Sequence, residues 1–217
     1  MNQVVQDKMM RQIMVIKNNI VFANIDRTTG FLDVGSLNFE DLLLQNYEYM
    51  QRGIAETNFE YKQPIPYGVV RDTSTNKIFL YKRGGSGSNA GDARLHSKIS
   101  IWVGGHIEKD DRVSDNIMVD CLRREIQEEM GISEDLIQSV SLIWGINDDS
   151  NEVGKVHFWL AYLVDVSTQD FALEDGELEK GSFMSIEEIG TMIASWEYDV
   201  ETWTKILFEP LKAYLTV

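Results

Sequence analysis

Apolar and polar positions follow two different periods along this chain, and the changes of period outline its elements. Ile13-Met14-Val15-Ile16 and Ile20-Val21-Phe22-Ala23 are short apolar runs on either side of Lys17-Asn18-Asn19, a pattern that predicts a β-hairpin closed on asparagines. From Asn38 the spacing becomes helical. With Asn38 as cap, Leu42, Leu43, Tyr47 and Met50 share one face of a predicted amphipathic helix. Pro64 and Pro66 punctuate the start of the next section, where 65–71 and 77–82 predict paired strands around Thr73-Ser74-Thr75-Asn76. The glycine-serine run from Gly84 to Gly91 predicts a mobile loop near a site or, equally, a plain connector. Ile99 to Val103 is a further apolar strand that runs into Gly104-Gly105.

The second half is more regular. A helix is predicted from about Ser114 to Met130, with Val119, Leu122 and Ile126 as its apolar stripe and Gly131 as its terminator. Strands follow over 137–146 and 156–166, the second almost wholly apolar and so expected at the centre of a sheet. Ser185-Ile186-Glu187-Glu188 is a capping box that opens another helix. The last helix carries Val200, Trp203 and Leu207, and Pro210 is expected to kink or end it. No internal repeat is visible. Helices interspersed with a mixed sheet point to an α/β or α+β sandwich.

Composition narrows the class. At 217 residues the chain fits one domain, or one domain with an elaborated N-terminus, and can bury a substantial core. No apolar stretch approaches a membrane span, and no apolar signal-peptide run opens the chain, so no membrane partner is expected. A single cysteine, Cys121, excludes an internal disulfide, fits a cytoplasmic location and reads as a small packed group on a helix. The formal net charge of −15 repels nucleic-acid backbones, so a nucleic-acid duplex is not an expected partner. It would also repel a free polyphosphate unless a divalent metal neutralises the site.

The run Arg124-Glu125-Ile126-Gln127-Glu128-Glu129-Met130-Gly131-Ile132 supplies such a site. At about 100° per residue, Glu125, Glu128 and Glu129 project within one arc of the predicted helix. Like charges at this spacing repel by a few tenths of a kcal/mol per pair, roughly, unless they share a cation. Hard divalent ions such as Mg²⁺ take oxygen ligands and bridge phosphates. The plain alternative is a solvated acidic face.

With Gly104-Gly105 upstream and Arg124 opening the acidic run, the sequence resembles the Nudix hydrolases, a MutT-like superfamily. Their signature is a glycine, five residues, a glutamate, seven residues, then Arg-Glu-aliphatic-x-Glu-Glu-x-Gly-aliphatic. Arg124 to Ile132 matches the second half at every fixed position. The first half departs from it. With seven residues intervening before Arg124, the glutamate position holds Asn116, and the expected glycine position holds Asp110. Counted forward from Gly105, Asp111 takes the place of the first glutamate and about five extra residues follow, which reads as a loop insertion. Asp111, Asp115 or neither is then the partner of Arg124. The stretch from Arg94-Leu95-His96 to Ile107 resembles a branch of the family described as predicted phosphoesterases.

The resemblance implies a Nudix-type α/β/α sandwich with a mixed sheet over 61–217, preceded by an N-terminal hairpin-helix extension over 1–60. It implies Mg²⁺ (or Mn²⁺) held by Glu125, Glu128 and Glu129, with the Gly104 carbonyl and a distant carboxylate, Glu177, completing the set; Glu174 and Asp175 rival Glu177. Glu125, Glu128 and Arg124 are the implied catalytic groups, Glu125 as a ligand or the residue orienting the attacking water. Arg94, His96 and His106 are candidates for contact with substrate phosphate, Arg94 as a fork-shaped anion clamp. His157, within an apolar strand, reads as structural. Asp148, Asp149 and Glu152 read as a solvated hairpin tip. Trp102, Trp144 and Trp159 read as core.

The implied activity is divalent-metal-dependent hydrolysis of a phosphoanhydride bond in a nucleoside diphosphate linked to another moiety. The alternatives are a non-catalytic nucleotide-sensing Nudix protein and an isopentenyl-diphosphate-isomerase-like enzyme. The first would more naturally have lost a glutamate. The second wants a cysteine facing substrate, which Cys121 is not placed to do. The apolar faces of the first sixty residues, through Val15, Val21, Leu42, Leu43, Tyr47 and Met50, need covering, and a homodimer built on them is the favoured expectation.

Overall fold

Strand β4 (Tyr61–Asp72) is long because nearly every residue in it is buried, so both its faces need cover and no polar alternation interrupts it. In the computed structural model, which describes residues 3–34, 38–84, 97–173, 178–195 and 197–216, it lies inside a ten-stranded sheet. The main path runs β10-β5-β4-β9-β8-β2, with β5 at Lys77–Arg83, β9 at His157–Val166, β8 at Ile137–Asn147, β2 at Gly30–Leu32 and β10 at Leu178–Met184. The apolar run of β9 occupies an interior place in that order, as its composition requires. Helices complete an α/β Nudix-type fold: α1 (Gln3–Met10), α2 (Asn18–Val21), α3 (Phe39–Asn46), α4 (Arg52–Ala55), α5 (Ile117–Met130), α6 (Glu152–Val156), α7 (Ile186–Ala194) and α8 (Thr202–Leu215).

Contacts divide the chain into two compact units. The first comprises Met1–Tyr67, Gly104–Arg124 and Leu142–Tyr162; the second comprises Gly68–Val103, Glu125–Ser141 and Leu163–Val217. Within the first, β1 (Gln12–Lys17) pairs antiparallel with β3 (Glu48–Gln51), Ile13 opposite Met50, and its end pairs with β4, Ile16 opposite Lys62. Within the second, β5 pairs antiparallel with β4 and with β10. There the apolar run after the glycine-serine segment is split at Ile101: β6 (Ile99–Ser100) pairs with β5, and β7 (Trp102–Val103) with β4. No helix among the described residues is long and apolar enough to cross a membrane.

Three local expectations are corrected. The N-terminal hairpin does not form, because Asn18 to Val21 coils into α2. All four residues Ile13–Ile16 are buried, so β1 needs cover on both faces, and it finds partners in β3 and β4 instead of a neighbouring strand. The Asn18 amide N–H donates to Glu60 O and its side chain to Phe59 O, which turns the chain away from a hairpin. Helix α3 stops at Asn46, whose side chain donates to Leu42 O, and Tyr47 is extended; Met50 therefore belongs to β3 and not to the helix face. Asn38 does precede α3, but its side chain donates to Asp41 and does not cap the backbone.

The third concerns Pro210, which does not end α8: the helix continues through it to Leu215. A proline inside a helix costs about 3 kcal/mol. Trp203, Leu207 and Phe208 before it and Leu211 after it are buried, and burying one such side chain contributes roughly 1.5–3 kcal/mol, so packing on both sides outweighs the break. By contrast, the capping box opens α7 as expected: Ser185 Oγ accepts from Glu188 N, and the Glu188 carboxylate accepts from Ser185 N at 2.8 Å.

Val15, Val21 and Leu43 are buried within the chain, and Ile13, Val15 and Ala55 form a cluster against which Met50 and Tyr61 pack. Leu42, Tyr47 and Met50 are half-buried, and Met10, Phe31, Ile54 and Phe59 of the same segment are exposed.

Candidate active site

Helix α5 begins where Asn116 Oδ1 accepts from the Met118 and Val119 amides, a side-chain cap that replaces missing intrahelical partners. It ends at Gly131, whose φ of +64° stops the helix and whose N–H returns to Gln127 O. Between these points Met118, Cys121, Leu122, Ile126 and Met130 are buried, and Val119 is half-buried. The apolar stripe thus lies beside the carboxylate arc. Glu128 is exposed, Glu125 is half-buried and Glu129 is only 4% exposed. A carboxylate so removed from water is costly unless charge or hydrogen bonds offset it. Three all-oxygen donors of graded burial on one helix turn fit a hard divalent cation, which prefers carboxylate ligands and retains waters.

Arg124, one residue before this arc, takes Asp111 as its partner. Arg124 Nε and Nη2 grip the two Asp111 oxygens, the second contact at 3.1 Å, in the bidentate geometry that guanidinium favours. Of the alternatives open from the sequence, Asp111 is therefore the one the structure selects. Asp111 also accepts from the Glu108 amide at 2.7 Å, closing a short 3-10 turn over Lys109–Asp111. The inserted loop is folded back onto the helix by one buried carboxylate. Asp111→Ala is expected to cost about 2–4 kcal/mol, since it strands a partly buried cation, whereas Asp115→Ala at an exposed position should change stability by less than about 0.5 kcal/mol. Urea unfolding of the two variants checks this difference.

In the first unit, Gly104 has φ +148°, and a Cβ there would lie 2.0 Å from Pro66 O. Only glycine fits this close approach. Cys121 is buried with Sγ 3.5 Å from His106 O, confirming a packed role among its neighbours. His106 turns to internal partners: Nε2 lies 2.8 Å from Gln63 Oε1 and 3.1 Å from His157 Nε2. Glu56 stands 3.8 Å from the same nitrogen. Burial, and then the nearby Arg52, His157 and Lys8, hold His106 well below the ordinary histidine value, and burial also lowers His157. Neither Glu56 nor Gln63 was visible as a site residue in the sequence, because neither lies in a motif.

The acidic loop beyond β8 is tied down. Asp149 accepts from Arg27 and from Lys62, both at 2.7 Å, and the fully buried Lys62 also donates to Gly154 O. Burial alone would raise the Asp149 pKa, but the hydrogen bonds from Arg27 and Lys62 bring it down to about 2. Trp102, Trp144 and Trp159 are core residues. Arg94, His96, Glu174, Asp175, Glu177 and the glycine-serine run after Gly84 lie outside the described residues.

A family model described as NUDIX domain matches residues 62–204. The chain belongs to the Nudix family. Its class is accordingly that of a pyrophosphohydrolase. It is similar to Protein YmaB of Bacillus subtilis (strain 168), with 32% identity over 173 residues, 76% of this chain and 79% of that protein. In fold it is similar to the crystal structure of Tm1382, a candidate Nudix hydrolase, with TM-score 0.73 and 24% identity over 94% of this chain and 99% of the other. The NUDIX domain of Shewanella oneidensis NrtR, solved with ADP ribose, has TM-score 0.52 and 11% identity over 71% of this chain and 88% of that one.

Proposed function

We propose that this Nudix protein hydrolyses a phosphoanhydride bond in a nucleoside diphosphate linked to another moiety, using Mg²⁺ or Mn²⁺ held by Glu125, Glu128 and Glu129. The observation that carries the reading is the arc of three carboxylates on α5, one of them buried, directly after an arginine locked to Asp111. When bound, a divalent ion neutralises the diphosphate and lowers the pKa of a coordinated water. Glu128 and Glu129 supply the ligand oxygens. Glu125, half-buried and one residue after the fixed Arg124, is placed to be a ligand or to accept the proton of the attacking water. The Arg124–Asp111 pair holds the start of that helical turn in one geometry. A net charge of −15 makes the cation necessary for a polyphosphate to approach.

The substrate class is supported by the fold-level likeness to a Nudix domain solved with ADP ribose, a nucleoside diphosphate joined to a sugar. That likeness also keeps a second reading in view, a domain that binds such a compound without cleaving it. A screen of nucleoside diphosphate compounds with Mg²⁺ or Mn²⁺, followed by chromatography of the products, separates the two. Cleavage to two phosphate monoesters supports the hydrolase. Tight binding with no compound cleaved overturns it in favour of the sensor.

A further inference from the structure

Glu56, His106 and His157 each present one ligand atom, and the three atoms lie within 4.8 Å of one another. They come from distant parts of the chain: Glu56 from the end of α4, His106 from the loop after Gly104, and His157 from the first residue of β9. All three belong to the first unit. From their geometry we propose that they form a second metal site, distinct from the glutamate arc, which takes a borderline transition-metal dication such as Zn²⁺.

The tautomers carry the argument. His157 Nδ1 is 2.7 Å from Val153 O, and a carbonyl only accepts, so this nitrogen bears the proton. Neutral His157 therefore presents a lone pair at Nε2. That lone pair faces His106 Nε2 at 3.1 Å. Two nitrogens that each stand about 2.0–2.1 Å from a tetrahedral Zn²⁺ are separated by about 3.3 Å, so the observed spacing is close to that of two ligands of one ion. A backbone carbonyl that fixes the far ring nitrogen is also the usual outer partner of a metal-bound histidine.

Without an ion, the same place is poorly satisfied. His106 Nε2 has one proton at most, while Gln63 Oε1 and the His157 lone pair both lie within hydrogen-bond distance of it. Gln63 is 1% exposed, and its Nε2 has no hydrogen-bond partner. An unpartnered buried amide N–H₂ costs about 1–3 kcal/mol. An ion that takes both Nε2 lone pairs would displace Gln63 from His106 Nε2, with the His106 proton then carried on Nδ1. Glu56, held by Arg52 at 3.2 Å, adds the negative charge that two neutral imidazoles lack. Two ring nitrogens and one carboxylate select Zn²⁺ and its neighbours over Mg²⁺, which demands oxygen. Such an ion would tie the end of α4 and the loop after Gly104 to the start of β9.

Titration of metal-stripped full-length protein with Zn²⁺ in millimolar Mg²⁺, followed calorimetrically, tests the site, and Co²⁺ reports its geometry by visible absorption. One Zn²⁺ per chain should bind, and Co²⁺ should give the bands of a four-coordinate nitrogen-oxygen site. Glu56→Gln, at a half-buried position, should keep its thermal unfolding temperature and weaken Zn²⁺ at least about tenfold. His157→Asn should abolish binding. Glu128→Gln and Glu129→Gln should bind Zn²⁺ as the parent does, whether or not the protein proves to be a hydrolase. A folded parent that takes up no Zn²⁺, binding unchanged in folded Glu56→Gln, or binding lost with Glu128 or Glu129 would each overturn the proposal.

Discussion

Glu129→Gln should lower turnover at least about a hundredfold, the scale on which a single electrostatic group removed from an active site is felt. The substitution keeps shape and most hydrogen-bonding capacity and removes one negative charge, so it isolates the ligand role. Glu129 is 4% exposed, and a buried carboxylate weakens the folded state unless something compensates it. Thermal unfolding of the variant shows whether lost turnover comes with lost stability. Glu128→Gln should lose turnover similarly, and because Glu128 is exposed its stability should shift by less than about 0.5 kcal/mol. Steady-state kinetics beside thermal unfolding reads both quantities. Near-normal turnover in either variant would remove that residue from the metal site.

Gly104→Ala carries the largest expected effect on folding. The new methyl group would meet Pro66 O at 2.0 Å and the Tyr67 ring at 3.1 Å, in a backbone held at φ +148°. Strained backbone costs about 1–3 kcal/mol, and overpacking a further 1–3 kcal/mol or so. Because the obstacle is a strand carbonyl, no side chain can swing aside to relieve it. A combined loss of about 3–5 kcal/mol corresponds, in a chain of this size, to a fall of about 10 °C or more in unfolding temperature. Calorimetry of the variant checks this, and a shift under about 2 °C would mean that the strand end yields easily.

What the sequence made legible was set by how local each signal is. Helix α5, its stop at Gly131 and the Ser185–Glu188 capping box depend on residues a few positions apart, and all three formed as read. The Asp111–Arg124 pair spans a loop, which left three alternatives that sequence could not rank. Beyond that range the pattern misled. Ile13–Ile16 looks like half of a hairpin, but its partners are Glu48–Gln51 and the start of β4, and no local spacing specifies a pairing across so many residues. No local signal marks Lys62 as a buried charge, because its partner Asp149 lies 87 residues away. His157 read as structural for sound reasons, since it lies in an apolar strand. Only folding brings Glu56, Gln63 and His106 to it.

The central claim concerns a divalent cation acting on a diphosphate, and metal removal on a cleaved compound tests it most directly. With a nucleoside diphosphate derivative turned over in Mg²⁺, excess chelator should reduce the rate at least about a hundredfold, and added Mg²⁺ or Mn²⁺ should restore it while Zn²⁺ alone should not. A rate that persists undiminished in chelator, from protein shown to be metal-free, would contradict the account.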